Sequence, residues 1–116
     1  MSRKAKGNRA EQIAVDYLQQ QGARIKEKNF RIDGGEIDII AKLQQIWLFV
    51  EVKYRADQQF AAVLEQITAA QCQRIRFTAQ CYFLFNGIDQ HTTSMRFDVI
   101  AITGNPPTIY WLKDAF

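Results

Sequence analysis

The chain has little histidine and little cysteine: one His and two Cys in 116 residues. Neither cysteine belongs to a CxxC pair, so no zinc site can be assembled from His and Cys. Cys72 and Cys81 fall in one helical pattern. At that separation a helix turns them about 180° apart and about 13 Å along its axis, too far for a disulfide. Two unpaired thiols fit a reducing compartment. Long apolar runs are missing as well. The longest, Ile46 to Val50 and Tyr82 to Phe85, fall far short of a bilayer span, so no membrane is expected as a partner. The opening MSRKAKGNRAEQ has no apolar stretch of the kind a secretory signal needs, so the expected location is the cytoplasm. No repeat, low-complexity tract or linker divides the chain, and its length suits one domain spanning 1–116.

Acid is absent from the first ten residues, where Arg3, Lys4, Lys6 and Arg9 crowd together before Glu11. Residues 1–8 read as a flexible basic arm, either simply solvated or facing a polyanion. Net charge is only +3.

Hydrophobic spacing orders the rest. Ala10, Ile13, Ala14, Tyr17 and Leu18 predict a helix over Arg9 to Gln21, with Gly22 as its stop. Ala23 to Arg31 reads as extended, followed by the turn signal Asp33-Gly34-Gly35. Glu36 to Leu43 alternates, with Ile37, Ile39, Ala41 and Leu43 on one face and Glu36, Asp38, Ile40 and Lys42 on the other. Ile46 to Arg55 is the second strand of a hairpin turning at Gln44-Gln45. A loop over Ala56 to Leu64 leads to a long helix, Glu65 to Phe85, ended by Asn86-Gly87. Its predicted face carries Ile67, Ala70, Cys81, Tyr82 and Phe85 together with Gln71, Arg74 and Thr78. Met95 to Thr103 and Ile109 to Lys113 complete a strand pair around a turn at Gly104 to Pro107. The order α-β-β-β-α-β-β points to an α/β fold, a mixed sheet flanked by helices.

The hairpin concentrates the chemistry. A loop centred between Gln44 and Gln45 sets Leu43 opposite Ile46, Asp38 opposite Glu51 and Glu36 opposite Lys53, unless a bulge intervenes. Directly opposed residues have Cβ atoms about 5 Å apart. Two partly buried carboxylates that close cannot both ionise cheaply. A shared proton, Lys53, or a divalent cation would offset the repulsion. A cation there would polarise a phosphoryl oxygen, with Lys53 placed to orient water or neutralise developing charge. Glu11 lies on the predicted helix near Ala14 and Leu18, at the edge of the apolar stripe, from which it can reach the sheet. Each of these residues alone reads more readily as a solvated rim or edge charge; the joint register is what favours a site.

Gly35-Glu36-Ile37-Asp38-Ile39-Ile40-Ala41, Phe49-Val50-Glu51-Val52-Lys53-x-Arg55, Arg96-Phe97-Asp98-Val99 and the closing Ala115-Phe116 resemble the YraN family of small bacterial proteins over nearly the whole chain. That family is similar to the PD-(D/E)xK nucleases and archaeal Holliday-junction resolvases. The resemblance implies a restriction-endonuclease-like fold and maps Asp38, Glu51 and Lys53 onto the D…ExK motif. Asp38 and Glu51 would be metal ligands, Lys53 the catalytic lysine, and the Val52 carbonyl and Glu11 further contributors to an Mg²⁺ or Mn²⁺ site. Two positions depart from the family pattern: Ala10 stands for a usual Gly, and Gln71 for a usual Lys. Similar resolvases act as homodimers.

The leading expectation is a metal-dependent nuclease acting on structured, for example branched, DNA. Arg9, Arg55, Gln71, Arg74 and Arg96 are expected at backbone phosphates, giving salt-dependent and largely sequence-independent binding. The competing expectations are a nucleic-acid-binding module with the nuclease fold and no turnover, and a protein-interaction module whose acids form a plain rim network.

Overall fold

The computed structural model describes residues 3–56 and 65–116, with side chains from Arg9 onward. It contains α1 (Arg3–Gln20), β1 (Arg24–Ile32), β2 (Gly35–Leu43), β3 (Ile46–Arg55), α2 (Ala69–Phe85), β4 (Met95–Thr103) and β5 (Thr108–Leu112). The strands form one five-stranded sheet in sequential order. β1, β2 and β3 meander antiparallel, β4 joins β3 in parallel after the α2 crossover, and β5 returns antiparallel along β4. This is the expected mixed sheet with the expected element order. No helix among the described residues is long and apolar enough to cross a membrane.

Each face of the sheet carries a helix. Ala10, Ala14 and Leu18 of α1 pack on Ile39, Ala41, Leu48, Val50, Ile100 and Ile102. Ile75, Ala79, Tyr82 and Phe83 of α2 pack on Ile37, Ile40, Trp47, Phe49 and Phe97. Small residues on α1 let the helix lie close to the sheet; rings dominate beneath α2, with Phe49 stacked on Phe97 at 5.5 Å and edge-on to Phe83 at 5.3 Å. β3 and β4 are apolar on both faces because both are covered.

Helix ends follow local chemistry. α1 starts at Arg3, upstream of the predicted Arg9, and closes where the Ala23 N–H reaches back to the Leu18 carbonyl across Gly22, whose φ is +94°. α2 starts at Ala69, downstream of the predicted Glu65. Thr68 and Gln71 form a reciprocal cap: the Gln71 N–H donates to Thr68 Oγ1 at 3.1 Å and the Thr68 N–H donates to Gln71 Oε1 at 3.0 Å. The expected loop over 56–64 lies, beyond Ala56, outside the described residues.

Two predicted faces need correction. The buried face of α2 is Ile75, Thr78, Ala79, Tyr82 and Phe83, whereas Phe85, assigned to the core, is exposed. The helix is apolar on two sides, so periodicity could not choose between them. In β2, Ile37 belongs to the α2 side while Ile39 and Ala41 belong to the α1 side. The alternation therefore breaks at Asp38.

Gly35 opens β2 directly beneath α2. A Cβ there would collide with Thr78 Oγ1 and approach Thr78 Cβ to 3.3 Å. Thr78 is fully buried and its hydroxyl donates to the Arg74 carbonyl at 2.7 Å, so it cannot swing away freely. Gly35→Ala is expected to destabilise the fold by about 2 kcal/mol. Thr78→Ala should restore most of that loss in a denaturant-melt double-mutant cycle.

Candidate active site

β2 and β3 pair in the expected register from Leu43↔Ile46 to Ile39↔Val50. The ladder stops there, one step short of Asp38 and Glu51. Instead of continuing the backbone pairing, Asp38 uses its side chain: the Val52 N–H donates to Asp38 Oδ2 at 2.8 Å. The carboxylate occupies the position a backbone carbonyl would take in a continued ladder. The strands part at this point, and the parting is what gives an acid room on an otherwise apolar sheet.

Asp38 and Glu51 come within hydrogen-bonding reach of each other. Lys53, two residues along the same face of β3, places Nζ 3.4 Å from Glu51 Oε1, and both side chains are mostly shielded from solvent. The predicted cross-strand partner of Lys53, Glu36, pairs with Arg31 instead, at 3.3 Å on the surface.

The electrostatics match the crowding. Burial pushes the Asp38 carboxyl from its ordinary 3.8 up to about 8, and the neighbouring Glu51 charge adds to the rise; the Val52 N–H opposes it, and Glu11 and Glu36 raise it further. Burial also raises Glu51, against the opposing pull of Lys53. Near neutral pH Asp38 holds a proton that it can donate to Glu51, one of the three resolutions expected for opposed acids.

This has a measurable sign. Between about pH 4 and pH 8 the folded chain holds a proton on Asp38 that the unfolded chain has released. Stability therefore falls as pH rises through that window and levels off above it. Asp38→Asn preserves an acceptor for Val52 N–H and a donor for Glu51 without a charge to desolvate. It is expected to flatten this part of the pH–stability curve and to raise metal-free stability at pH 8 by at least about 1 kcal/mol, read from urea melts across the range.

Glu51 opens into a cavity of about 250 Å³ beneath α2, walled also by Gly35, Glu36, Gln71, Arg74 and Ile75. A marginally larger hollow of about 260 Å³ lies at Arg9, Ile13, Tyr54 and Pro107, on the α1 side. Among the described residues no carboxylate lines it, and the acids stand at the cavity at Glu51.

The nominated residues do not all converge. Asp38, Glu51 and Lys53 meet, with Val52 contributing its N–H to Asp38. Glu11 is near enough to raise Asp38 but lines a separate recess with Gln12, Lys28 and Asn29. Among the described residues no three His, Cys, Asp or Glu side chains close on one point. Gln71 and Arg74 are in the cavity wall, although the Gln71 carboxamide is also spent on capping α2. Arg55, at the end of β3, is exposed and donates to the Tyr54 carbonyl at 2.6 Å. Arg9 stands on the α1 side.

Arg96 is placed elsewhere. It shares the α1 face with Asp98, at the level of Leu48 in the parallel ladder, at the far end of β3 from Lys53. Its Nε and Nη2 each donate to Asp98 at 2.9 Å. Asp98 is wholly buried and also accepts from Trp111 Nε1 at 2.8 Å and the Asp114 N–H at 2.9 Å. Arg96 thus neutralises a buried acid that ties β5 and the chain's last residues to β4. The readable signal is Arg-x-Asp, which on a strand puts both side chains on one face. Glu36 is the other residue the sequence reading left out of the site. It lines the cavity and raises both acids.

An α/β protein with one mixed sheet, a helix on each face and an acid pair at the parting of two central strands is thereby defined. A family model described as uncharacterised protein family UPF0102 matches residues 10–102. The chain is 56% identical over 110 residues to a UPF0102 protein of Idiomarina loihiensis, covering 95% of each. It is 44% identical to a UPF0102 protein of Shewanella baltica and 42% identical to one of a Shewanella sp. strain, each match covering 95% of this chain and 97% of the relative. The chain belongs to the UPF0102 family, the YraN family that its motifs resemble.

Proposed function

We propose that this protein is a metal-dependent nuclease that hydrolyses phosphodiester bonds in nucleic acid, structured DNA foremost. The observation that carries this reading is the Asp38–Glu51 pair: two carboxyls within hydrogen-bonding reach, one held protonated near neutral pH and the other opening into the cavity, with Lys53 beside Glu51. A fold has no need to bury two acids side by side where both are pushed above the ordinary carboxylate range. A cation-binding site does.

The donor set fits a hard divalent ion. Both groups are oxygen ligands, and Mg²⁺ is commonly held by one or two carboxylates while retaining waters for substrate. A pair without a third acid is therefore sufficient for Mg²⁺ or Mn²⁺. When bound, such an ion supplies Lewis-acid polarisation of a phosphoryl oxygen and makes a water more acidic. The chain's own residues do the rest. The Val52 N–H fixes Asp38. The Lys53 ammonium orients water or meets charge developing on the phosphate. Arg74 and Gln71 in the cavity wall, with Arg55 at the end of β3, hold neighbouring phosphates by contacts that carry no base information. Glu11 contributes a nearby negative charge.

The test is incubation with branched, flapped and single-stranded DNA, with and without Mn²⁺, beside Lys53→Ala. Mn²⁺-dependent cleavage that disappears in the variant supports the reading. Binding without cleavage of any substrate would leave a nucleic-acid-binding module, and neither DNA nor cation binding would leave a protein-interaction module.

A further inference from the structure

The end of β3 carries different chemistry on its two faces. Glu51 and Lys53 stand on the α2 side, whereas Tyr54 packs against the α1-side core. Successive residues of a strand point to opposite faces, so Lys53 and Tyr54, with Cα atoms about 3.8 Å apart, stand back to back. Arg55 is exposed and pairs with Thr103 at the last rung of the parallel ladder. The β4–β5 turn that follows closes the hollow of about 260 Å³ against α1. Ala10 and Ile13 of α1 line it with Tyr54 and Pro107, and the exposed Arg9 and Asn105 join them. The Arg9 guanidinium, the Tyr54 hydroxyl and the Asn105 carboxamide make no hydrogen bond or ion pair among the described residues. An apolar hollow with a few convergent polar groups is the common form of a small-ligand site.

We infer that this hollow is a nucleotide subsite, which takes one unpaired base of the strand being cut while Arg9 meets that nucleotide's phosphate. Three features select a nucleotide. The first is charge. Among the described residues no carboxylate lines the hollow, and the helix that brings Arg9 to it opens with Arg3, Lys4 and Lys6, so an anion is favoured. The second is the apolar lining, which a bare anion would leave without a role. A base stacks on a tyrosine ring whatever its identity, and a hydroxyl and a carboxamide each donate and accept, so they suit any base edge. The third is position. Tyr54 is three residues from Glu51, about 10 Å along β3. A strand with one phosphate at Glu51 and Lys53 that crosses the end of β3 brings a neighbouring base to the α1 side.

This subsite rests on the nuclease reading for the path of the strand, and it adds a cause for selectivity. In a duplex the base is paired and stacked and has to be extruded first; in a flap, branch or single strand it is already free. The hollow therefore favours unpaired substrate without reading sequence.

The test is a ¹H–¹⁵N NMR titration of the metal-free full chain with deoxyadenosine 5′-monophosphate, which needs neither metal nor cleavage. The amide signals of Ala10, Ile13, Tyr54 and Asn105 should shift and saturate with a Kd of about 1 mM, while those of Gly35 and Ile75 in the other cavity stay in place. Inorganic phosphate should leave Tyr54 and Asn105 unmoved. Tyr54→Ala should weaken binding about tenfold. Tyr54 also packs on the core, so the exposed Asn105→Ala serves as a second variant and should weaken it about threefold. Deoxyadenosine, which has no phosphate, should bind wild type about threefold more weakly than the nucleotide, and Arg9→Ala should bind the two equally. Saturable binding at the hollow without DNA cleavage under any condition would remove the nuclease reading and keep the nucleotide site. Cleavage without binding at the hollow would overturn the subsite alone. Shifts confined to the cavity at Glu51, shifts reproduced in full by inorganic phosphate, or unchanged binding in Asn105→Ala would overturn it as well.

Discussion

Glu51→Gln is expected to reduce Mn²⁺-dependent DNA cleavage about a thousandfold or more while leaving the fold intact. Glu51 is shared by both halves of the site: it touches Asp38 and lies 3.4 Å from Lys53. An amide keeps its shape and much of its hydrogen bonding but removes the charge that would hold a cation and balance the lysine. Loss of several kcal/mol of transition-state charge stabilisation corresponds to three or more powers of ten in rate. Stability should move the other way. Burial, and to a lesser degree Glu36, disfavours the Glu51 charge against the opposing pull of Lys53 and the hydrogen bond from Asp38, and the Glu51 charge in turn disfavours that of Asp38, so the neutral isostere relieves that cost in the metal-free protein. A variant that is inactive yet melts no lower than wild type is the signature of a strained functional acid. Equal loss of activity and stability would mean a structural role.

The second large effect lies on the other face of the sheet and concerns stability alone. Asp98→Ala should destabilise the protein by about 3–5 kcal/mol, because it removes one partner of a buried ion pair and strands the rest of the network. Four donor groups converge on Asp98: Arg96 Nε and Nη2, Trp111 Nε1 and the Asp114 N–H. The Arg96 pKa is raised, its hydrogen bonds to Asp98 being the main cause. Asp98→Asn should cost less, since it retains an acceptor, but it cannot serve both ends of the guanidinium. Urea melts give the magnitude. Trp111 fluorescence should report release of β5 from the network. If Asp98→Ala were near-neutral in stability while abolishing nucleic-acid binding, Arg96 would be a phosphate contact held in reserve, as its place in the sequence motif first implied.

The sequence made the hairpin register legible because its loop is short and symmetric about Gln44-Gln45. What it could not show was the end of that ladder. The Asp38 side chain intercepts the Val52 N–H, and this is a tertiary event with no local pattern to announce it. The broken alternation at Ile37 is its consequence. The orientation of α2 was unreadable for a different reason. Two apolar stripes compete, and only the position of the sheet decides which of them is core. The Thr68-x-x-Gln71 cap, by contrast, was present in the sequence and sets the helix start. Arg96 was misplaced by reading a cation without its neighbour two residues on, whose complete burial could be seen only once β5 was in position. Basic residues at one sequence distance from a motif thus separated onto two faces of the sheet: Arg74 beside the acids, Arg9 and Arg96 away from them.

The central claim is that Asp38 and Glu51 hold a proton in place of a cation. Titration calorimetry of Mn²⁺ into the metal-free protein at pH 7, in two buffers of different ionisation enthalpy, tests it most directly. Binding should release close to one proton per ion, because Asp38 is protonated below about pH 8 and must ionise to become a ligand. Asp38→Asn should bind weakly and release none. Mn²⁺ binding with no proton released in wild type, or unchanged by that substitution, would contradict the account.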